Sequence, residues 1–562
     1  MSKETELLDL WLANVQEADL REELETMRSD EKAVIEAFHQ DLQFGTAGLR
    51  GIIGAGTDRM NVHTVGRATQ GFANYLNAHF ENPTVAIGRD SRNKGDEFVR
   101  RTAEVFAANG VKTYVYPRIE PTPAVSWAVR DLKCSGGVCM TASHNPAPYN
   151  GYKAYGPDGC QIATEAADAI SAAIAEVDTF SDVKIVPFDE AIADGRIEWI
   201  AEEVLDRYID AVEKCSVAAA GDAAAAKPVK IVYTPLNGTG MECVSRILER
   251  VGITDITVVP EQAEPDGNFP TCTYPNPETR EALERAIALA EEVHPDLVLA
   301  TDPDADRVGA AVKDGDDYLL LTGNEMGVLL LDYVARMTAE KEGEDITRKV
   351  AVTTIVSSVM VDAVAAQYGF EVRRVLTGFK YIGGVIGELE AAGEVDRYLF
   401  GFEESYGYLN GSHVRDKDAV DASMLICQMT QYYRERGMSL ADAMRGLYES
   451  LGFFLNKTLS FSYPGVEGGE KMKALMEGLR VTPPTSVAGL AVEGVVDYAT
   501  GVDGLPAANV VEFDLEGGNK LIVRPSGTEP KVKAYLFAQR PTREAAEQLL
   551  SELEAAATKI MQ

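Results

Sequence analysis

Short apolar runs alternate with helical stretches along most of this 562-residue chain. Early in the chain, apolar runs at 85–87, 111–116 and 138–141 are separated by helical patterns at 97–109 and 123–131. Strands that alternate with helices predict βαβ units and a mostly parallel sheet. The alternation starts again near 229 and near 318, which predicts three similar mixed α/β domains.

The end of the chain has a different pattern. Residues 453–562 contain several strand-like runs and one C-terminal helical stretch, which predicts a smaller α+β C-terminal domain. The predicted boundaries are an N-terminal helix and domain 1 over 1–205, domain 2 over 206–315, domain 3 over 316–452 and domain 4 over 453–562. The Ala-rich residues 216–228 predict a linker, although a frayed helix fits the same composition.

Charge and cysteine content limit the possible functions. The chain carries 53 Lys and Arg against 88 Asp and Glu, a formal net charge of −35. This excess of acid argues against a nucleic acid or an anionic membrane as the partner. Seven cysteines without a C-x-x-C pair, no signal-like N-terminus and no long apolar run predict a cytoplasmic protein with free thiols.

A polar segment follows the predicted strand at 138–141. Ser143 lies where open α/β sheets bind ligands, with His144, Asn145 and Lys153 near it in sequence. Pro148, Asn150 and Gly151 predict a loop after it. The G-x-S-x-G pattern of hydrolases is absent, and a serine in a polar turn fits the residues equally well.

Three carboxylates follow the apolar run at 297–300. Asp302, Asp304 and Asp306 have the i, i+2, i+4 spacing that lets them converge on one hard cation, and oxygen ligands suit Mg²⁺. An EF-hand is a poor match, because Arg307 and Lys313 occupy the positions of its Gly and Glu. A solvated acidic turn is the alternative.

Two further segments carry polar residues beside apolar runs. Glu403, Glu404 and Ser405 could grip sugar hydroxyls or begin a capped helix, and Lys380 upstream could bind phosphate or shuttle a proton. Arg524 begins a Gly- and hydroxyl-rich turn that would form an anion nest or an ordinary hairpin turn.

These segments, in this order, resemble the α-D-phosphohexomutase superfamily. TASHNP (141–146) is similar to its phosphoserine loop, DPDADR (302–307) to its metal loop, GFEES (401–405) to its sugar loop and RPSGTEP (524–530) to its phosphate loop. FGTAGLRG (44–51) and TGFKYIGG (377–384) resemble the subgroup that contains bacterial phosphoglucomutases and phosphopentomutases. The resemblance covers nearly the whole chain and implies four domains arranged around one central cleft.

The resemblance also implies a mechanism. Ser143 would carry a phosphoryl group, pass it to a hexose monophosphate and take the other phosphate back from the bisphosphate. Mg²⁺ and glucose 1,6-bisphosphate would be the cofactor and the activator. The implied catalytic residues are Ser143, Lys380, His144, Arg50, Lys153 and Arg307, and Lys380 would be the general base. The implied metal ligands are Ser143, Asp302, Asp304 and Asp306. The implied substrate-binding residues are Thr377, Gly378, Glu403, Ser405, Arg524, Ser526, Gly527, Thr528 and Lys533.

The resemblance leaves the sugar open. Gly407 replaces a His found in some phosphomannomutase-like members, which favours the phosphoglucomutase or phosphopentomutase subgroup over phosphomannomutase. Interconversion of glucose 1-phosphate and glucose 6-phosphate is the activity that we expect. A phosphopentomutase acting on ribose phosphates is a close alternative. A Mg²⁺-dependent sugar-phosphate phosphatase is an alternative from another reaction class. A catalytically dead sugar-phosphate sensor would lack the serine, the aspartates or the phosphate loop, and this sequence has all of them. The sequence predicts no oligomeric state.

Overall fold

The computed structural model describes residues 2–45, 48–218, 228–340, 345–526 and 531–562. It forms two compact units. The first comprises Met1–Leu320, Gly383–Tyr398 and Tyr406–Arg434, and the second comprises Leu321–Ile382, Leu399–Ser405 and Glu435–Gln562. The four predicted domain boundaries and the single cleft stay predictions.

The predicted N-terminal helix is divided into three helices, α1 (Lys3–Asn14), α2 (Ala18–Met27) and α3 (Glu31–Phe38). Ser2 caps α1 and Asp30 caps α3, each by accepting backbone N–H groups of the first turn. Trp11 is buried in the core of this region, with its ring edge-to-face against Phe38 and Phe180.

The first α/β region confirms the predicted alternation. Its elements are β1 (Leu49–Ile52), α4 (Val62–His79), β2 (Thr84–Arg89), α5 (Gly95–Ala108), β3 (Lys112–Val115), α6 (Thr122–Asp131), β4 (Gly136–Met140), β5 (Tyr149–Tyr155), α7 (Thr164–Ala175), α8 (Phe188–Ala193) and β6 (Ile197–Trp199). The strand order is β1-β5-β4-β2-β3-β6. Strands β4, β2, β3 and β6 are parallel, whereas β5 is antiparallel to both β4 and β1, so the sheet is mixed.

The predicted loop includes Pro148, but its extension to Asn150 and Gly151 is wrong, because β5 begins at Tyr149. A Cβ on Gly151 would lie 2.4 Å from the Thr141 carbonyl oxygen and 2.8 Å from that of Leu49. The glycine is therefore required by close approach of the neighbouring backbones and not by a turn.

The second α/β region forms a smaller sheet with the order β11-β10-β9-β7-β8. Its elements are α9 (Glu202–Lys214), β7 (Lys230–Thr234), α10 (Gly240–Arg250), β8 (Asp255–Val258), α11 (Pro260–Ala263), α12 (Arg280–Val293), β9 (Leu297–Thr301), β10 (Val308–Asp314) and β11 (Asp317–Leu321). Strands β8, β7 and β9 are parallel and β10 is antiparallel to β9. Most of the predicted linker at 216–228 lies outside the described residues.

The third α/β region also has a parallel pair of strands. It comprises α13 (Gly323–Glu340), β12 (Val350–Thr354), α14 (Met360–Tyr368), β13 (Glu371–Val375), α15 (Phe379–Ala391), β14 (Tyr398–Glu403), β15 (Gly407–Leu409), α16 (Ala419–Arg434) and α17 (Leu440–Leu451). Strand β12 lies between β13, to which it is parallel, and β14.

The last region is an α+β fold, as predicted. Its elements are β16 (Phe453–Ser462), α18 (Gly465–Val481), β17 (Ser486–Val487), β18 (Leu490–Asp497), β19 (Val511–Leu515), β20 (Asn519–Pro525), β21 (Lys531–Arg540) and α19 (Arg543–Ile560). The sheet has the order β16-β21-β20-β19-β18-β17. The prediction of one helix here is wrong, because α18 adds Met476 and Leu479 to the core that α19 covers with Leu549 and Leu553.

Among the described residues, no helix combines the length and the apolar character needed to cross a membrane.

The packing of Trp11 generates a stability prediction. In Trp11→Ala, loss of a buried indole should lower the free energy of unfolding of the N-terminal region by about 3–5 kcal/mol. Denaturation followed by circular dichroism should show the loss. The control is Leu10→Ala, because Leu10 is 46% exposed on the same helix and should change stability by less than about 0.5 kcal/mol. Equal effects of the two substitutions would contradict the packing described.

Candidate active site

Ser143 lies just beyond β4, in the first compact unit, and is buried. Its backbone φ is +52°, a left-handed conformation that non-glycine residues seldom adopt. The Ser143 hydroxyl donates to Asp302 Oδ2 at 2.9 Å and lies 3.1 Å from His144 Nδ1. The structure thus joins the predicted serine segment to the predicted metal segment, which are far apart in sequence.

The three predicted metal-ligating carboxylates lie in the turn between β9 and β10 and are all buried. Backbone N–H groups of Asp306 and Arg307 donate to Asp302 Oδ1 at 3.1 and 3.0 Å, which folds the turn around that carboxyl group. Ligand oxygens of Asp302, Asp304 and Asp306 lie within 4.8 Å of one another. The alternative of a solvated acidic turn is therefore wrong.

This group of carboxylates fits a bound cation. Asp304 Oδ1 and Asp306 Oδ1 are buried and accept no hydrogen bond within the described part of the chain. A buried carboxylate oxygen without a partner is costly, and a hard divalent cation would satisfy it. The structure supports a metal site at Asp302, Asp304 and Asp306.

The environment gives these carboxyl groups different proton affinities. Burial, together with the charges of Asp304 and Asp306, raises the pKa of Asp302 well above its usual range. Burial also opposes ionisation of Asp306, but the charges of Lys153 and Lys417 outweigh it and lower the pKa of that group. Asp306 is therefore the stronger acid of the two, and a bound cation would favour ionisation of Asp302.

Two buried lysines face the carboxylates. Lys153 Nζ on β5 donates to Asp304 Oδ2 and Asp306 Oδ2, both at 2.7 Å. Although burial lowers the pKa of Lys153, the charges of Asp304 and Asp306 raise it well above its usual range. Lys417 Nζ lies 3.2 Å from Asp306 Oδ2 and was not predicted from the sequence. The polar run at 412–418 before α16 is the only sequence signal that could have pointed to Lys417.

The other predicted cations of this unit lie around Ser143. Arg50 on β1 is exposed and donates to Asn145 Oδ1 at 3.1 Å, and Arg307 donates to Glu278 Oε1 at 2.6 Å. Burial and the charges of Arg307 and Arg50 lower the pKa of His144 well below its usual range. The His144 ring next to the Ser143 hydroxyl is therefore neutral at physiological pH.

The predicted sugar segment lies in the second compact unit, together with Thr377 and Gly378. The backbone N–H of Gly378 donates to Glu403 Oε1 at 2.7 Å, and Gly378 has a φ of +125° that favours glycine. The buried Thr377 hydroxyl has no hydrogen-bond partner among the described residues. Ser405 is half-buried, and Lys380 Nζ lies over the Tyr381 ring at 5.0 Å.

Two cations of the predicted phosphate segment lie opposite each other in the same unit. Arg524 on β20 pairs in register with Lys533 on β21. Like charges on directly opposite residues repel each other, so the pair favours an anion beside it. Ser526 follows β20 with its N–H donating to the Lys531 carbonyl at 2.8 Å. Gly527 and Thr528 lie outside the described residues.

Comparison with protein families identifies the class of protein that carries this arrangement. Phosphoglucomutase/phosphomannomutase alpha/beta/alpha domains I, II and III match residues 41–180, 206–315 and 322–451. The chain belongs to this family of the α-D-phosphohexomutase superfamily, and the family makes it an isomerase that moves a phosphoryl group.

Two curated relatives, similar over nearly the whole chain, are both phosphoglucomutases. A phosphoglucomutase of Staphylococcus saprophyticus is 34% identical over 94% of this chain and 95% of its own length. A phosphoglucomutase of Staphylococcus haemolyticus is 36% identical over 89% of this chain and 91% of its own length.

Solved structures show the same fold. The Paramecium exocytosis-sensitive phosphoprotein pp63/parafusin, a phosphoglucomutase, matches with a TM-score of 0.69 and 17% identity over 92% of this chain and 94% of its own. A phosphoglucomutase/phosphomannomutase family protein of Burkholderia thailandensis matches with a TM-score of 0.68 and 18% identity over 92% and 97%.

Asp302 provides a direct test of the metal site. Asp302→Asn should lower the affinity for Mn²⁺ at least about tenfold, because one carboxylate ligand is lost. The raised pKa of Asp302 means that a proton competes with the metal, so wild-type affinity should rise with pH, and the rise should be weaker in the variant. Calorimetric titration at several pH values measures both effects.

Asp317→Asn is the matched control, since the Asp317 side chain is 71% exposed and its partner is Arg280. It should bind Mn²⁺ as the wild type does. Equal affinity of the Asp302 variant and the wild type would contradict the site.

Proposed function

We propose that this protein is a phosphoglucomutase that interconverts α-D-glucose 1-phosphate and glucose 6-phosphate. The observation that carries the proposal is the distance of 2.9 Å between the Ser143 hydroxyl and the Asp302 carboxylate. Asp302 belongs to a turn that holds three buried carboxylates. The full-length similarity to curated phosphoglucomutases selects glucose phosphate as the substrate.

Ser143 is proposed as the phosphoryl carrier. Its oxygen would form a bond to phosphorus, and that bond would break when a sugar hydroxyl attacks. The product would be glucose 1,6-bisphosphate, which would also serve as activator. Return of the other phosphate to Ser143 completes the cycle and leaves an isomerised monophosphate, so phosphorus and protons balance over the two transfers.

The residues around Ser143 support this role. Phosphoryl transfer depends mainly on positioning and on neutralising charge. Lys153 stays protonated and would act as a fixed cation, as would Arg50 and Arg307. The neutral His144 ring can hold a hydrogen bond to the Ser143 oxygen.

Mg²⁺ is the proposed metal, held by Asp302, Asp304 and Asp306 with an oxygen of the Ser143 phosphoryl group. When bound, it would polarise the phosphoryl oxygens and offset their charge. The all-oxygen donor set is the chemistry that favours Mg²⁺.

The second compact unit supplies the proposed substrate-binding residues. Glu403, Ser405, Thr377 and Gly378 would hold sugar hydroxyls, and Lys380 is the proposed general base. The phosphate that is not reacting would be held by Arg524, Ser526, Gly527, Thr528 and Lys533. The register pairing of Arg524 with Lys533 and the unpartnered Thr377 hydroxyl support these roles.

Other features stay predictions from the sequence. A small sugar phosphate is the only partner proposed, with no nucleic acid or membrane, and free thiols favour a cytoplasmic location.

An activity panel tests the substrate. With Mg²⁺ and a trace of glucose 1,6-bisphosphate, glucose 1-phosphate should be isomerised faster than mannose, glucosamine or ribose 1-phosphate. Ser143→Ala should lower the rate at least about 10⁴-fold, because the phosphoryl carrier is lost. Product analysis by NMR measures isomerisation and free phosphate together.

Ser171→Ala is the control for that substitution, since the Ser171 hydroxyl only donates to the Phe44 carbonyl at 2.8 Å. It should keep wild-type activity. Faster turnover of ribose 1-phosphate would indicate a phosphopentomutase, and release of inorganic phosphate in place of an isomer would indicate a phosphatase.

A further inference from the structure

A buried guanidinium organises the backbone around Ser143. Arg92 Nη2 donates to the carbonyl oxygens of Ser143 at 2.6 Å and Asn145 at 2.5 Å. Arg92 Nη1 donates to those of Pro146 at 3.0 Å and Tyr149 at 2.9 Å. One side chain therefore satisfies the carbonyl group of Ser143, whose backbone is strained, and three carbonyl groups of the segment that follows it, a pattern that needs the planar fork of arginine.

The Asp90 carboxylate holds the Arg92 guanidinium in place through its Nε atom. The Asp90 carboxylate lies 3.3 Å from Arg92 Nε, and neither side chain is exposed. It also accepts a hydrogen bond of 2.6 Å from the Thr141 hydroxyl. That hydroxyl in turn accepts the N–H of Ser143 at 2.8 Å, so a second route from the same carboxylate reaches the serine backbone.

A neighbouring turn covers the other side of Arg92. The Arg92 guanidinium lies 5.1 Å from the centre of the Phe269 ring, a cation–π distance. Gly267 of this turn packs directly on the backbone of Asn93, next to Arg92, since a Cβ on Gly267 would lie 2.5 Å from the Asn93 backbone nitrogen. Asn93 Nδ2 also donates to Asn268 Oδ1 at 3.0 Å.

The same turn is tied to the metal-binding turn. The N–H of Asp266 donates to the Asn237 carbonyl at 3.0 Å. Next to Asn237, Gly238 packs so closely on Pro303 that a Cβ would lie 2.3 Å from its Cα. Thr239 N–H donates to the Pro303 carbonyl at 2.8 Å. A continuous set of contacts thus runs from the Ser143 backbone through Arg92 to the turn that carries Asp302.

We propose that Arg92 is a positioning residue for phosphoryl transfer, which sets the Ser143 oxygen relative to the metal-binding carboxylates without touching the substrate. This inference rests on the proposed role of Ser143. Removal of the guanidinium should loosen the Ser143 backbone while substrate binding is kept. A displacement of the reacting atom by about 1 Å can reduce a rate about 100-fold.

The test compares Arg92→Met and Arg92→Lys with the wild type. We expect kcat and the single-turnover rate of Ser143 phosphorylation by glucose 1,6-bisphosphate to fall together by about 100-fold in Arg92→Met. KM should change little. Arg92→Lys should recover only part of the rate, since one ammonium cannot reach four carbonyl groups.

Arg67→Met is the matched control. Arg67 is a half-buried arginine that, like Arg92, donates to a backbone carbonyl, that of Val177 at 2.9 Å, but its partners Val177 and Asp41 are not among the residues that contact Ser143. Its loss should reduce thermal stability and leave kcat unchanged. If Arg92→Met does not fold, Phe269→Leu removes the ring against the guanidinium and should lower kcat in the same direction with KM unchanged.

The outcomes separate this inference from the proposed function. If Ser143→Ala is inactive and a folded Arg92→Met keeps the wild-type kcat, the inference about Arg92 is overturned and the proposed function is not. If Arg92→Met does not fold, a wild-type kcat in Phe269→Leu has the same meaning. An equal loss of kcat in Arg67→Met would also overturn it, because the effect would then reflect general destabilisation. An active Ser143→Ala would overturn the proposed mechanism itself.

Discussion

Asp302, Asp304 and Asp306 place three carboxyl groups out of water on one short turn. Burying ionised groups is strongly unfavourable unless each is paired or coordinates a metal. Lys153 on β5 forms ion pairs with two of these groups, and Lys417, from the segment before α16, forms an ion pair with one of them. Lys153 on β5 and Lys417 before α16 therefore offset the charge that the turn buries.

The charge of the whole chain has a limited bearing on the ligand. A formal charge of −35 would repel a phosphate at long range, but salt screens exposed charges beyond about 8–10 Å. Lys153 lies at the buried carboxylates, the charges of Arg307 and Arg50 act on His144 beside Ser143, and Arg524 with Lys533 forms a second basic pair in the other unit. The net charge of the chain therefore does not argue against a phosphate ligand, because these cations are placed locally.

The sequence predicted the chemistry of single segments better than the contacts between them. The spacing of Asp302, Asp304 and Asp306 after an apolar strand was sufficient to predict a metal turn, because those residues are neighbours along the chain. Lys417 and Arg92 were not predicted, since Asp306 is far from Lys417 in sequence, the carbonyl groups around Ser143 are far from Arg92, and only the fold brings them together. Gly151 was misread as a turn residue because strand crowding and turn formation both select glycine.

The central claim is that Ser143 carries the phosphoryl group, and its most direct test is to locate the group on the protein. The chain would be incubated with Mg²⁺ and glucose 1,6-bisphosphate that carries radiolabelled phosphate, and then digested and mapped by mass spectrometry. The account predicts one labelled phosphoryl group on Ser143, which unlabelled glucose 1-phosphate removes as labelled bisphosphate. Label on another residue, or label released only as inorganic phosphate, would contradict it.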